Sequence, residues 1–210
     1  MQRMEKYAFG WPGIDARWTS SAKSGVGTSL NSNSKVWYSI SQGILNEIYY
    51  PQVDQACTKD LGLIVTDGKD FFSEEKNHTS HFITHITNGI PGYHLTNTCK
   101  HHHYRIEKEI ISDPSRDTVI QRIQFFPSGK KKKDLKLFIL LAPHLCNHGS
   151  SNTAWVGDYK GFPMLFAQRG DVSLALACST PWKKGSAGFV GTSDGWQDFC
   201  LLYTSPSPRD

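Results

Sequence analysis

The chain lacks any apolar run long enough to span a membrane, and Met1 to Gly10 lacks the hydrophobic centre of a secretion signal. A soluble, cytoplasmic protein is the expectation. Cysteine is sparse: five residues in 210, with no Cys-x-x-Cys spacing. That argues against a zinc ribbon and against a compact disulfide scaffold. Cys57, Cys99, Cys146 and Cys178 read instead as free, mostly buried thiols. Excess charge is small as well, a net +4 to which the run from Lys130 to Lys133 contributes heavily. With no basic stripe interleaved with aromatics, no nucleic-acid partner is expected. The lysine run fits a solvated hairpin cap between two apolar stretches. Helical periodicity is also missing throughout.

What the chain does have is a succession of short strand patterns. From Lys35 to Ser41, Val36, Tyr38 and Ile40 alternate with Trp37, Ser39 and Ser41, the period-two signature of a strand buried on one face. Trp37 is expected to be buried along with its neighbours, as is Phe138 further on. Ile44 to Tyr50 follows, ended by Pro51. Leu61 to Thr66 runs into Asp67-Gly68, a dipeptide suited to a two-residue hairpin turn with positive φ at both centres, and Lys69 to Ser73 returns. His81 to Thr87 and Tyr93 to Cys99 flank a longer loop containing Asn88-Gly89 and Pro91-Gly92. Tyr104 to Ile111, Thr118 to Phe126 and Leu135 to Leu141 come next. Within the last, Leu137 to Leu141 is continuously apolar, as in a central strand buried on both faces. Phe162 to Gln168 and Val172 to Ser179 form a final pair. Strands joined in sequence by short turns predict an all-β fold, an antiparallel sandwich or barrel.

Three groups of residues invite chemical readings. The glycines of Ser24-Gly25-Val26-Gly27-Thr28 lack the Gly-Lys-Ser/Thr ending of a phosphate loop, so a flexible loop leading into the first strand is expected. Cys99, His101 and His103 alternate along one candidate strand face, but no fourth ligand accompanies them and no metal is predicted. Glycoside hydrolysis needs two carboxyl groups across a sugar bond. Asp15, Glu47, Asp54, Glu74, Glu75 and Asp194 are present, yet nothing in the sequence pairs them. Trp11, Arg17 and Trp18, with Tyr49 and Tyr50, are the densest aromatic and polar groups, able to stack on sugar rings or to pack against another domain.

The block from Ala8 to Gly68, AFGWPGIDARWTSSAKSGVGTSLNSNSKVWYSISQGILNEIYYPQVDQACTKDLGLIVTDG, resembles the opening of the N-terminal domain of bacterial and archaeal glucoamylases and glucodextranases. These are inverting α-glucosidases of glycoside hydrolase family 15. The resemblance implies a large two-sheet antiparallel β-sandwich of the galactose-mutarotase-like type, incomplete here over residues 1–199. It implies a partner domain too, a helical (α/α) barrel whose loops carry the two catalytic glutamates, and an α-glucan substrate. Nothing in this chain matches those glutamate segments, so no catalytic residue is carried over and no cofactor is implied. Cys200 to Asp210, CLLYTSPSPRD, resembles the conceptual translation of a sequencing adapter and is set aside from the fold. Two other readings stand beside this one: a free-standing carbohydrate-binding module, and the front domain of a disaccharide phosphorylase, which shares the architecture.

Overall fold

The computed structural model describes residues 22–129 and 132–196. The chain gathers into two compact units, one over Thr19–Ala142 and another that includes the described part of Pro143–Asp210. The first begins with β1 (Gly25–Thr28), β2 (Trp37–Ser41), β3 (Ile44–Tyr49) and β4 (Thr58–Thr66), each paired with the next. β5 (Phe72–Glu74) returns along β4, and one helical turn, α1 (Glu75–His78), leads to a second sheet. There β6 (Thr79–His85), β7 (Tyr93–Cys99), β8 (Tyr104–Ser112) and β9 (Val119–Pro127) run up and down in order. β10 (Lys136–Pro143) then joins the first sheet beside β4.

The two sheets share one core. Leu63 and Val65 of β4 and Phe71 meet Cys99 of β7 and Tyr104 and Ile106 of β8, with Ile123, Phe125, Leu137 and Ile139 packed around them. Each fully buried aliphatic side chain contributes about 1.5–3 kcal/mol relative to exposure. This antiparallel sandwich is the architecture that the strand pattern predicts. Tyrosine hydroxyls stitch it together: Tyr38 of β2 donates to the carbonyls of Pro91 and Ile110, at 2.8 and 3.0 Å. Tyr104 pairs with the Ser73 hydroxyl at 2.6 Å.

Several local expectations are corrected. The glycine-rich segment is strand β1, paired residue by residue with β2, rather than a flexible loop. Its glycines are there for space: a Cβ on Gly27 would stand 2.2 Å from the Tyr38 ring, and one on Gly25 2.7 Å from the Tyr93 ring. The Tyr93 hydroxyl also accepts from the Val26 N–H and donates to the Val26 carbonyl, satisfying an edge strand that has no neighbour on that side among the described residues. Trp37 is not in the core: it lies on the outer face, 36% exposed, while Tyr38 is wholly buried. Phe138 is half-buried. Nor is Leu137 to Leu141 a central strand, since β10 ends its sheet among the described residues and is half-buried along its length.

The β4–β5 hairpin forms as expected, but its turn is longer than Asp67-Gly68. Asp67 Oδ1 accepts the N–H groups of Lys69, Asp70 and Phe71 at 2.9, 3.2 and 3.0 Å, and of the dipeptide only Gly68 takes positive φ. The side chain replaces the backbone as the organiser of the turn. The lysine run does not cap a hairpin: β9 and β10 belong to different sheets, so the run lies on a crossover, with Lys132 and Lys133 exposed. Cys99 closes β7 inside the core, whereas His101 to His103 form the turn to β8, His102 at φ 57°. The alternation therefore never becomes a shared face. All four described cysteines are free; Cys57 and Cys99 are buried, Cys146 half-buried and Cys178 exposed.

The other unit holds a three-stranded meander, β11 (Thr153–Tyr159), β12 (Phe162–Arg169) and β13 (Val172–Leu176). Its first turn, Lys160-Gly161, takes positive φ at both residues, the hairpin geometry that glycine makes accessible. Trp155 and Phe166 face each other across β11 and β12 and stack at 5.5 Å.

Candidate contact face at the end of strand β3

A bulge between β2 and β3 builds the most chemically concentrated surface in the Thr19–Ala142 unit. Trp37 stands opposite Tyr49, Tyr38 opposite Ile48, and Ile40 opposite Leu45, so the pairing shifts by one residue in between. Two consecutive polar residues, Asn46 and Glu47, share the place facing Ser39. Directly opposed residues project from the same side of a sheet, which places Trp37 and Tyr49 side by side on the outer face.

Charge is threaded through this face as a closed chain. Glu47 accepts from the Lys23 ammonium and, at 2.5 Å, from the Tyr49 hydroxyl. Lys23 also donates to Asn46 Oδ1 at 2.8 Å, and Asn46 Nδ2 donates to Asp60 Oδ1 at 2.7 Å. Asp60 then pairs with Lys76 at 3.0 Å. The side chains of Glu47 and Lys76 are only 12% and 9% exposed. Such pairs hold geometry more than they add stability, each contributing at most about 1 kcal/mol. Partial burial, with the bond to Glu47, pushes the Tyr49 hydroxyl up to about 12, so it remains a proton donor at neutral pH.

Of the five residues singled out for sugar or domain contact, Tyr49 and Tyr50 fall here. Tyr50 follows β3, its N–H donating to Gln55 O at 2.9 Å and its peptide bond to Pro51 cis. Trp11, Arg17 and Trp18 lie outside the described residues. The sequence reading missed Trp37, Lys23, Asn46, Asp60 and Lys76. The available signal was Asn46-Glu47, two adjacent polar residues interrupting the apolar alternation of a strand.

The chemistry this face offers is contact rather than proton transfer. Glu47 and Asp60 are both tied to lysines, and elsewhere Glu75 is tied to Lys108, Glu107 to Arg105, and Glu109 to Arg122. What points outward is the Trp37 ring beside a half-buried tyrosine, suited to a pyranose face or the apolar surface of a partner. Among the described residues no group of three or more His, Cys, Asp or Glu side chains is placed to hold a metal ion. No described helix is long and apolar enough to cross a membrane.

Comparison with known proteins adds three findings. The family described as glucodextranase, domain N, matches residues 8–202. A glucoamylase of Clostridium sp. (strain G0005) is 39% identical over 183 residues, covering 87% of this chain and 26% of the relative. A crystal structure of a bacterial glucoamylase complexed with acarbose overlays on 99% of this chain with a TM-score of 0.91 and 34% identity. This chain covers 31% of that one, and so spans less than a third of either relative.

Proposed function

This chain belongs to the family of glucodextranase N domains, and on that premise we propose that it serves as the non-catalytic front domain of an α-glucan hydrolase of the glucoamylase and glucodextranase type. Its partner in this reading is a helical-barrel catalytic domain, and the substrate of the pair is an α-linked glucan. One observation carries the proposal: nearly the whole chain superposes on less than a third of a bacterial glucoamylase. Two further features support it. The described carboxylates of the contact face are held by lysines, an arrangement suited to bracing rather than to general acid and base roles. The exposed Trp37 beside Tyr49 gives the domain something to present to a catalytic partner or to a glucan chain. That pair also favours the second reading, a carbohydrate-binding module that works alone.

The test is a replacement. This chain is substituted for the matching segment of the Clostridium glucoamylase, and hydrolysis of maltose, isomaltose and starch is measured for the chimera, for the relative without that segment and for this chain alone. Activity is expected in the chimera and in neither of the others. Turnover by the chain alone, abolished by mutating one of its own carboxylates, would overturn the proposal.

A further inference from the structure

Between the two sheets of the Thr19–Ala142 unit lies a charged cluster shielded from solvent. Glu75 on α1 and Lys108 on β8 are 0% and 1% exposed, and the lysine Nζ stands 2.8 Å from Glu75 Oε1. Asn97 of β7, also fully buried, donates Nδ2 to the same oxygen at 2.5 Å and to the Gly43 carbonyl at 2.8 Å. Lys108 donates to that carbonyl too, at 2.7 Å. The Thr79 hydroxyl fastens the end of α1 by donating to the Glu75 carbonyl at 2.7 Å.

Gly43 belongs to the two-residue turn between β2 and β3, with Gln42 at φ 50° and Gly43 at φ 74°. A Cβ on Gly43 would stand 2.5 Å from Asn97 Oδ1 and 2.8 Å from His81 Cβ, so this turn is seated directly on β6 and β7 of the opposite sheet. Glu75 sits where the chain passes from one sheet to the other. Four elements thus converge on one ion pair. Glu75 Oε2 and Asn97 Oδ1 have no hydrogen-bond donor among the described residues. The cluster therefore carries surplus acceptors, balanced by the lysine ammonium.

We infer that Glu75, Lys108 and Asn97 form a buried electrostatic latch that holds the β2–β3 turn onto the second sheet through the Gly43 carbonyl. Removing one charge of a buried pair strands the other in a low-dielectric interior, whereas removing both does not. The latch therefore opens when either charge is lost alone, releasing this corner while the sandwich around Leu63 and Ile106 stays packed. Its role is conformational: it fixes how the hairpin bearing Trp37 and Tyr49 is seated.

Amide hydrogen exchange on the full chain tests this with three variants, Lys108→Met, Glu75→Gln and the two combined. In each single variant the amides of residues 41–45 and 75–79 are expected to exchange at least tenfold faster than in the parent. Those of Ile120–Phe125 and Leu63–Val65 are expected to stay within about threefold. The combined variant is expected to return the turn toward parental protection. Unchanged exchange at the turn in the single variants would overturn the inference, as would equal acceleration at all four segments. If the single variants do not fold, a folded combined variant upholds the latch and an unfolded one refutes it.

Discussion

At the scale of single residues, tyrosine hydroxyls do work that the composition of an all-β chain does not announce. Tyr38 and Tyr104 sit at 0% and 1% exposure, each with a hydroxyl partner in the core, and burial raises the pKa of both well above that of a free phenol. Their folded values lie above the unfolded value of 10.0, so the folded state keeps its protons longer. Their contribution to stability is fully present below that pH and is lost as pH rises through it. Lys108 acts in the opposite sense, because burial outweighs the attraction of Glu75 and lowers its pKa from 10.5. Between the folded and unfolded lysine values stability rises with pH. Urea midpoints followed upward from pH 8 are therefore expected to fall above about pH 10. The same series on Tyr38→Phe/Tyr104→Phe should start lower, by about 1 kcal/mol per lost hydrogen bond, and then fall less steeply. Parallel slopes for parent and variant would show that these phenols do not control alkaline unfolding. A smaller-scale test concerns space: Gly27→Ala should cost about 1–3 kcal/mol by overpacking against the Tyr38 ring. An unchanged urea midpoint would contradict the close approach.

At the scale of strands and turns, period-two alternation assigns the faces of β2 in a way that can be checked by substitution. Tyr38→Ala is expected to cost about 3–5 kcal/mol, because a fully buried ring leaves a cavity. Trp37→Ala should cost only about 0.2–1 kcal/mol, the range for a cross-strand pair such as the one it makes with Tyr49. Thermal or urea unfolding of both would reveal equal losses if the faces were reversed. Much of this layer was legible: β2 to β10, β12 and β13 all fall on stretches that the pattern marks as strands. What was not legible has identifiable causes. β1 was hidden because glycine carries no strand propensity, and its reason for being there is the two rings lying over it. β11, Thr153–Tyr159, mixes Gly157 and Asp158 with its apolar residues and so shows no clean period. The lysine run looked like a hairpin cap because sequence reports strand order and not sheet membership. In the same way Trp37 was assigned to the core on residue type alone, although its alternation with Tyr38 placed it outside. Tyr49 and Tyr50 were found by their density; the lysines and carboxylates bound to the contact face come from four separate segments, and only the fold brings them together.

At the scale of the whole molecule, the resemblance carried by the first third of the sequence holds across the chain, as the family match over residues 8–202 and the overlay on a bacterial glucoamylase show. The structure adds a place for contact, the outer face where Trp37 stands beside Tyr49 above a chain of paired charges. A face that packs on a catalytic partner and a face that stacks on glucan make different demands, and substitution separates them. In the chimera with the Clostridium glucoamylase, a docking role predicts that Trp37→Ser lowers the inactivation temperature on maltose. In the isolated chain the same change should leave the unfolding midpoint within about 1 kcal/mol of the parent, since the ring is partly solvated there. Glucan stacking predicts the converse: retention of the isolated chain in amylose gels weakens, because loss of an aromatic platform removes about 1–3 kcal/mol of apolar contact, while the inactivation temperature of the chimera is unmoved. The salt-bridged floor beneath the ring favours docking, because Glu47 and Asp60 are already paired with lysines and Tyr49 already donates to Glu47, leaving those groups committed before any sugar hydroxyl arrives. A lowered inactivation temperature with unchanged retention is accordingly the expected result, and weakened retention alone would assign the face to glucan instead.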